Sequence, residues 1–314
     1  MPVLLTKASD KLMNPSINPL FGNIEQLDKY IKRIPNSYSG QLPELTLSIF
    51  KAFELPVSIY SCKFTKSGNR RLLLGTSAKT VKGEKFKYKT KVMYLAADAR
   101  SGFPICPFST PGCRSLCLGH CSGRMGVNKY DGFIKNDQQL AHFLKTVWFK
   151  IDPLNFLRQL IWEILCFGME VLLTEFKGCI RLNGTSDLPW WNWLDMTKLA
   201  ADTGLQFYDY TKRPIPPIKL PGYHLTFSIS ELESSFKTAE FKYLDKGYGA
   251  AIVVASKDMT SSKHAMGLKA EKVVENLVSL GRFPGYYREH PVINGDVSDL
   301  RFEDKPGSIV LLKA

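Results

Sequence analysis

GCIRLNGTSDLPWWNWLDMTKLAADTGLQFYDYTK (178–212) decides the fold. GCIRLNGT begins as a short apolar run and ends in Asn, Gly and Thr, which predicts a strand stopped by turn chemistry. A helix is expected over Trp190–Asp202, with Pro189 at its start, and LQFYDYTK reads as a second strand. Strand, helix, strand in so short a stretch implies parallel neighbours in one sheet, with the helix covering a face.

The pattern continues outward from this unit. YHLTFSIS, GAAIVVAS, HPVING and SIVLLKA are four further strands on the C-terminal side, with a helix over Lys269–Leu280 among them. On the N-terminal side, Phe133–Lys150 carries apolar residues at helical spacing. Asp152 and Pro153 start another helix, continuing to about Phe167. KVMYLAADA (91–99) is a strand, and LPVSIYSCKF (55–64) and RRLLLGTS (70–77) form a hairpin about a KSGN turn. Residues 1–45 read as an irregular arm with one amphipathic piece near Ile24–Ile34. The expected fold is α/β: an open, mostly parallel sheet, or a partial or complete β/α barrel. Residues 1–62 supply the arm and a first strand. Residues 63–314 form the α/β domain, including a basic hairpin (63–91) and a cysteine loop (101–126).

Polar residues gather where these strands end. Asn183, Thr185, Ser186 and Asp187 follow IRL; Asp209, Tyr210, Thr211 and Lys212 follow QFY; Ser228 and Ser230 follow HLTF; Asn294, Asp296 and Asp299 follow PVI. Open sheets and barrels build their sites at strand carboxyl ends. Asn, Asp, Gly and Ser also end strands simply as turn formers.

Four of the seven cysteines stand in SGFPICPFSTPGCRSLCLGHCSGRMG (101–126), spaced Cys106-x6-Cys113-x3-Cys117-x3-Cys121. Thiolates so close together suit a soft metal centre, either an iron–sulfur cluster (4Fe-4S) or zinc. Paired C-x2-C units, common in zinc knuckles, are absent. Cys62, Cys166 and Cys179 lie in apolar surroundings and read as small buried hydrophobes. An odd number of cysteines without an export signal argues against a disulfide framework and for a reducing, cytoplasmic setting.

The 314-residue chain carries a formal net charge of +13. Residues 63–91 hold ten Lys or Arg and one Glu, so this segment alone supplies +9. Such a block predicts contact with nucleic acid or a nucleotide, or else serves solubility. No apolar run is long enough to span a membrane. The signatures G-x-S-x-G, G-x-x-x-x-G-K-[ST] and G-x-G-x-x-G are absent.

CPFSTPGCRSLCLGHCSGRMG, IRLNGTSDLPW, FYDYTKRP, YHLTFSISE and VINGDVSDLRFEDKPGSIVLLKA resemble a phage protein family labelled gene product 88-like, over roughly residues 70–314. The resemblance implies a phage or prophage gene and a bacterial host cytoplasm, and brings no established activity. The order of elements, with a cysteine loop leaving an early strand before helices and strand–helix units, also resembles the radical S-adenosylmethionine architecture. There, three cysteines hold a four-iron cluster whose open iron binds the amino acid part of the cofactor. The usual C-x3-C-x2-C spacing is missing. Cys106, Cys113 and Cys117 resemble a wider-spaced variant, leaving Cys121 as either a fourth ligand or a nearby thiol.

The expected metal ligands are therefore Cys106, Cys113, Cys117 and Cys121. Asp187, Asp209 and Lys212 are candidate catalytic groups, with Lys212 suited to a phosphate or carboxylate. Asn183, Ser186, Ser228 and Asp296 are candidates for cofactor binding, and S-adenosylmethionine is a candidate cofactor. Asn183 and Asp187 equally suit an Asx turn or a helix cap. His224 reads as a core histidine, and Asp296, Asp299 and Arg301 as an internal ion pair or a polar wall. The function expected is an iron–sulfur enzyme of radical S-adenosylmethionine type acting on nucleic acid or a nucleotide. The alternative is a nucleic-acid-binding phage protein with structural zinc or a closed cluster.

Overall fold

The computed structural model describes residues 24–119, 128–216, 218–254, 285–295 and 297–313. Its strands are β1 (Leu74–Gly75), β2 (Tyr88–Met93), β3 (Lys177–Arg181), β4 (Gln206–Thr211), β5 (Tyr223–Ser228), β6 (Gly249–Val254), β7 (Tyr286–Tyr287), β8 (His290–Asn294) and β9 (Ile309–Lys313). They form one sheet in the order β1-β2-β3-β4-β5-β6-β9-β8-β7. Neighbours from β2 through β6, β9 and β8 pair in parallel, and β1 and β7 add antiparallel at the edges. The fold is mixed α/β.

The complete barrel that the sequence allowed is corrected to an open sheet. Closure requires the two edges to pair. Here both edges are two-residue antiparallel strands, and among the described residues neither faces a further partner strand. Edges this short also blunt edge-to-edge association.

The helices are α1 (Glu44–Ala52), α2 (Ile59–Lys63), α3 (Ala78–Val81), α4 (Pro111–Ser115), α5 (Asp137–Ile151), α6 (Pro153–Leu172), α7 (Trp190–Trp193), α8 (Met196–Thr203) and α9 (Glu233–Lys242). Helix α5 starts where the Asn136 side chain accepts the Gln139 N–H at 3.0 Å. Helix α6 starts at Pro153 after Asp152, as its sequence predicts, and runs one turn further than expected. These two helices bury Phe143, Val147, Trp148, Phe156, Leu160, Ile161 and Ile164 in the main core. Each such side chain contributes about 1.5–3 kcal/mol through burial. Among the described residues no helix is long and apolar enough to cross a membrane.

The sheet's other face is covered by the crossover from β8 to β9. Leu300 and Phe302 pack there on Tyr88, Cys179 and Tyr208. Of Asp296, Asp299 and Arg301, expected as an internal ion pair or a polar wall, Asp299 lines a cleft at the strand ends and Asp296 lies outside the described residues. Asp299 pairs with Arg181 of β3 at 3.2 Å, and buried Arg301 with Asp304 at 3.3 Å.

Three local expectations change. Residues 55–64 were expected as a strand, but the Ser58 hydroxyl caps the Ser61 N–H and starts α2 instead. The KSGN turn does form, closed by a Phe64–Arg70 bridge, yet its second arm reaches the sheet only as β1. The Trp190–Asp202 helix is split, because Leu194 is extended and the Asp195 side chain caps a new start at Lys198 N–H. The arm is more ordered than expected over its described part. Residues Ile24–Tyr30 form a 3-10 helix, Arg158 makes a two-pronged contact with Asp28, and Leu27 and Tyr30 join the core. The predicted helix Lys269–Leu280 lies outside the described residues.

Candidate functional site

A cleft of about 260 Å³ opens at the carboxyl ends of β3, β4, β5, β6, β8 and β9. That is near the lower end of small-molecule sites, typically about 300–1,000 Å³. One wall is the loop that leaves β2, with Cys106, Cys113 and Cys117 lining the cleft. The opposite wall is made of strand ends, including Arg181, Asp187, Lys212, Ser228 and Asp299.

The cysteine loop is stitched to the loop after β3. Gly184 N–H donates to Met93 C=O at 3.0 Å, Thr185 hydroxyl to Leu95 C=O at 2.5 Å, and Asp187 N–H to Ile105 C=O at 3.1 Å. The Cys106 thiol donates to Thr185 C=O at 3.7 Å. Gly184 is required for this approach, since a Cβ there would stand 2.7 Å from Met93 C=O and from the Tyr94 and Val92 side chains. Burial pushes the Cys106 thiol up to about 12, with Asp187, Cys117 and Cys113 adding to the rise against the backbone bond at Asp98. Cys106 is therefore a neutral thiol near pH 7 unless a cation stabilises its thiolate.

Thiol donor chemistry suits a soft metal on this wall. Three thiols from one loop face one cleft. Among the described residues, no three His, Cys, Asp or Glu side chains stand as a closed ligand group. Cys121, the fourth expected ligand, lies outside the described residues.

Asn183 and Asp187 organise the facing wall. Asn183 Oδ1 accepts from Ser186 hydroxyl, Leu188 N–H and Trp190 Nε1 at 2.9–3.0 Å, and its Nδ2 donates to Leu188 C=O at 2.9 Å. This is the turn role open to it from sequence, whereas helix α7 starts after Pro189 with no side-chain cap. Asp187 accepts from Thr211 hydroxyl at 2.6 Å and Lys212 N–H at 3.2 Å. Burial raises the Asp187 carboxyl against these bonds and the nearby Arg213 and Lys212 charges. Asp209 sits beneath the cleft, fully buried between Asn183 N–H and the Tyr223 hydroxyl, both at 2.7 Å. Burial pushes its carboxyl up to about 7, despite those bonds and Arg181.

The alternation expected along β4 holds. Asp209 and Thr211 bond to Tyr223, Asn183 and Asp187 on one side. Tyr208 and Tyr210 send their hydroxyls to Asp299 on the other, at 3.2 and 3.0 Å. Arg181 joins that second group, stacked 4.7 Å from the Tyr210 ring centroid. Lys212 continues the same side into the cleft, where its Nζ donates to Ser228 Oγ at 2.7 Å and Ser228 C=O at 3.3 Å. Two predicted site residues, Lys212 and Ser228, thus form one direct pair. Ser186 also lines the cleft, whereas Asp296 lies outside the described residues.

Glu231 was not foreseen. Its carboxylate crosses to the cysteine loop, accepting from Thr110 hydroxyl at 2.5 Å and Gly112 N–H at 2.9 Å. Burial pushes Glu231 up, but these donors and the Lys212 charge outweigh it and hold the carboxyl below its ordinary value. The only sequence signal was its place directly after the polar strand end SIS. Arg181 was likewise missed, being a charged residue at the end of the short strand KGCIR.

The gene product 88 family model matches residues 36–314. The chain belongs to the gene product 88 family. No curated protein and no solved structure matches it. The family match covers the cysteine loop, every described strand and the cleft of this gene product 88 protein, leaving residues 1–35 beyond it.

The basic segment of the protein folds differently from the expected hairpin. It spans the end of α2, the KSGN turn, β1, α3, a 3-10 helix (Lys82–Phe86) and most of β2. Part of its charge is answered by carboxylates: Lys63 by Asp152 at 2.7 Å, Lys87 by Glu175 at 2.9 Å, and Lys91 by Glu170 at 2.9 Å. Arg71 instead donates to the Cys62 and Phe64 carbonyls.

Proposed function

We propose that this protein is a metalloenzyme of radical S-adenosylmethionine type. Cys106, Cys113 and Cys117 would hold an iron–sulfur cluster, and the strand-end wall would hold a nucleotide-like anionic ligand. The observation that carries this reading is the sharing of one cleft by three cysteines and the Lys212–Ser228 pair. A four-iron cluster with one iron free of protein ligands would supply a site for the amino acid part of S-adenosylmethionine and one-electron reducing power beside it. Lys212 would receive a carboxylate or phosphate, with Ser228 setting its ammonium in place. Leu116, Leu118, Ile229, Val253 and Leu312 give the same cleft apolar surface suited to a base or ring. The remaining charge of residues 63–91 supports a nucleic acid or nucleotide as substrate.

A second reading is favoured by the burial of Asp209, which withdraws a carboxyl from the cleft, and by the saturation of Asn183, whose amide is spent on its own turn. It is a nucleic-acid-binding protein whose four cysteines close a structural zinc or cluster site. Comparing Cys121→Ala with Cys117→Ala decides between them. The enzyme reading expects Cys121→Ala to keep its metal and wild type to bind S-adenosylmethionine in anaerobic equilibrium dialysis, weakened by Lys212→Ala. Equal metal loss in both cysteine variants, with no cofactor binding by wild type, would leave the structural reading.

A further inference from the structure

The end of β5 and the loop after it do two different jobs within four residues. Ser228 meets Lys212 on its own side of the cleft. Glu231 reaches the opposite wall and touches the start of α4, the short helix that carries Cys113. Its two carboxylate oxygens divide the work: one accepts the Thr110 hydroxyl proton at 2.5 Å, the other the Gly112 N–H at 2.9 Å. Thr110 Oγ1 in turn accepts the Cys113 N–H at 3.3 Å. A chain of hydrogen bonds therefore runs from Glu231 through Thr110 to the main chain of Cys113.

The packing leaves little slack. A Cβ on Gly112 would lie 2.8 Å from the Glu231 carboxylate, so the carboxylate rests directly on the helix backbone. Cys117 follows in the next turn, its N–H donating to Arg114 C=O at 3.4 Å and its sulfur accepting Gly119 N–H at 3.4 Å. Within α4 no residue is buried, so apolar packing does little to hold it. Charge-assisted bonds are the stronger kind available for fixing such an element.

We propose that Glu231 is the positioning residue of the cysteine loop, latching α4 to the β5 end so that Cys113 and Cys117 are held facing Lys212 and Ser228. The metal-holding consequence rests on the function proposed above; the latch itself concerns the chain without metal. Without the carboxylate, α4 loses two acceptors from its first turn and opens locally while the core stays closed.

The test uses the full chain, stripped of metal and kept reduced. Rates of iodoacetamide alkylation are measured cysteine by cysteine for wild type, Glu231→Ala, Glu231→Gln and Thr110→Val. Cys113 and Cys117 should react on the order of tenfold faster in Glu231→Ala, the factor expected when about 1.4 kcal/mol of local clamping is lost. Thr110→Val, which removes the link to Cys113 N–H but leaves the carboxylate, should speed Cys113 more than Cys117. Glu231→Gln keeps a carbonyl acceptor and should recover part of the protection. Cys62, fully buried in the core, reports global opening and should be unchanged in every variant.

Unchanged Cys113 and Cys117 rates in Glu231→Ala overturn the latch. So does a rise matched by Cys62, which means the whole fold has loosened. Iron uptake after anaerobic reconstitution is read on the same samples. Faster alkylation with no metal bound by wild type would keep the latch and remove the metal reading. Unchanged alkylation with normal metal would do the reverse.

Discussion

Asp209→Asn should flatten one component of the protein's pH–stability curve, and the structure sets its size and sign. Asp209 is buried, and its carboxyl rises from 3.8 to about 7, chiefly through burial. The unfolded chain releases this proton near 3.8 and the folded chain keeps it until about 7. The stabilisation is therefore fully present below 3.8 and is lost as pH rises through about 7. That span corresponds to a ceiling of roughly 4 kcal/mol at about 1.36 kcal/mol per pH unit. Asn is isosteric with the protonated acid and can still accept the Asn183 N–H, so the variant should fold. Raised Asp187 and Glu163, and Asp304 at about 6, act in the same direction. Buried His142 and half-buried His224, lowered to about 3 and about 4, act oppositely, because the unfolded chain binds their protons first as pH falls. The informative quantity is hence the difference between wild type and variant, from urea unfolding with chelator at steps between pH 4 and 8. Wild type should lose stability relative to Asp209→Asn by up to that ceiling across the interval. Parallel curves would refute the burial argument for Asp209.

Two further outcomes follow from the geometry. Gly184→Ala forces a Cβ to within 2.7 Å of Met93 C=O and two side chains, so urea unfolding should show a loss of about 1–3 kcal/mol; an unchanged midpoint would mean that the loop after β3 yields freely. Replacing Lys85, Lys87 and Lys89 with Glu should weaken nucleic-acid binding irrespective of base sequence and lower its salt dependence, measured by fluorescence anisotropy over a salt series. Binding equal to wild type would make the segment a solubility feature.

Much of this architecture was legible because it depends on local signals. Asp152-Pro153 marks the start of α6, and β4 through β6, β8 and β9 are apolar runs closed by turn residues. The polar strand ends did converge, since parallel strands deliver all their carboxyl ends to one side. What failed depended on competition or distance. Residues 55–64 have β-branched character, yet one Ser58 cap tips them into α2. A tryptophan-rich helix was expected to run unbroken, but Asp195 stops it by capping its successor. Openness of the sheet depends on what its edges meet, which no local pattern encodes. Lys87 and Lys91 gave the sequence a bare positive block because Glu175 and Glu170, which answer them, lie far along the chain. Glu231 escaped notice for the same reason: its partners, Thr110 and Gly112, belong to a loop between other strands.

The metal content of anaerobically purified full-length protein tests the central claim most directly, with Cys113→Ala and Cys117→Ala alongside. The account predicts brown wild-type protein holding iron and acid-labile sulfide in near-equal amounts, and colour lost in both variants. Colourless wild type with one stoichiometric zinc, or with no metal, would contradict it.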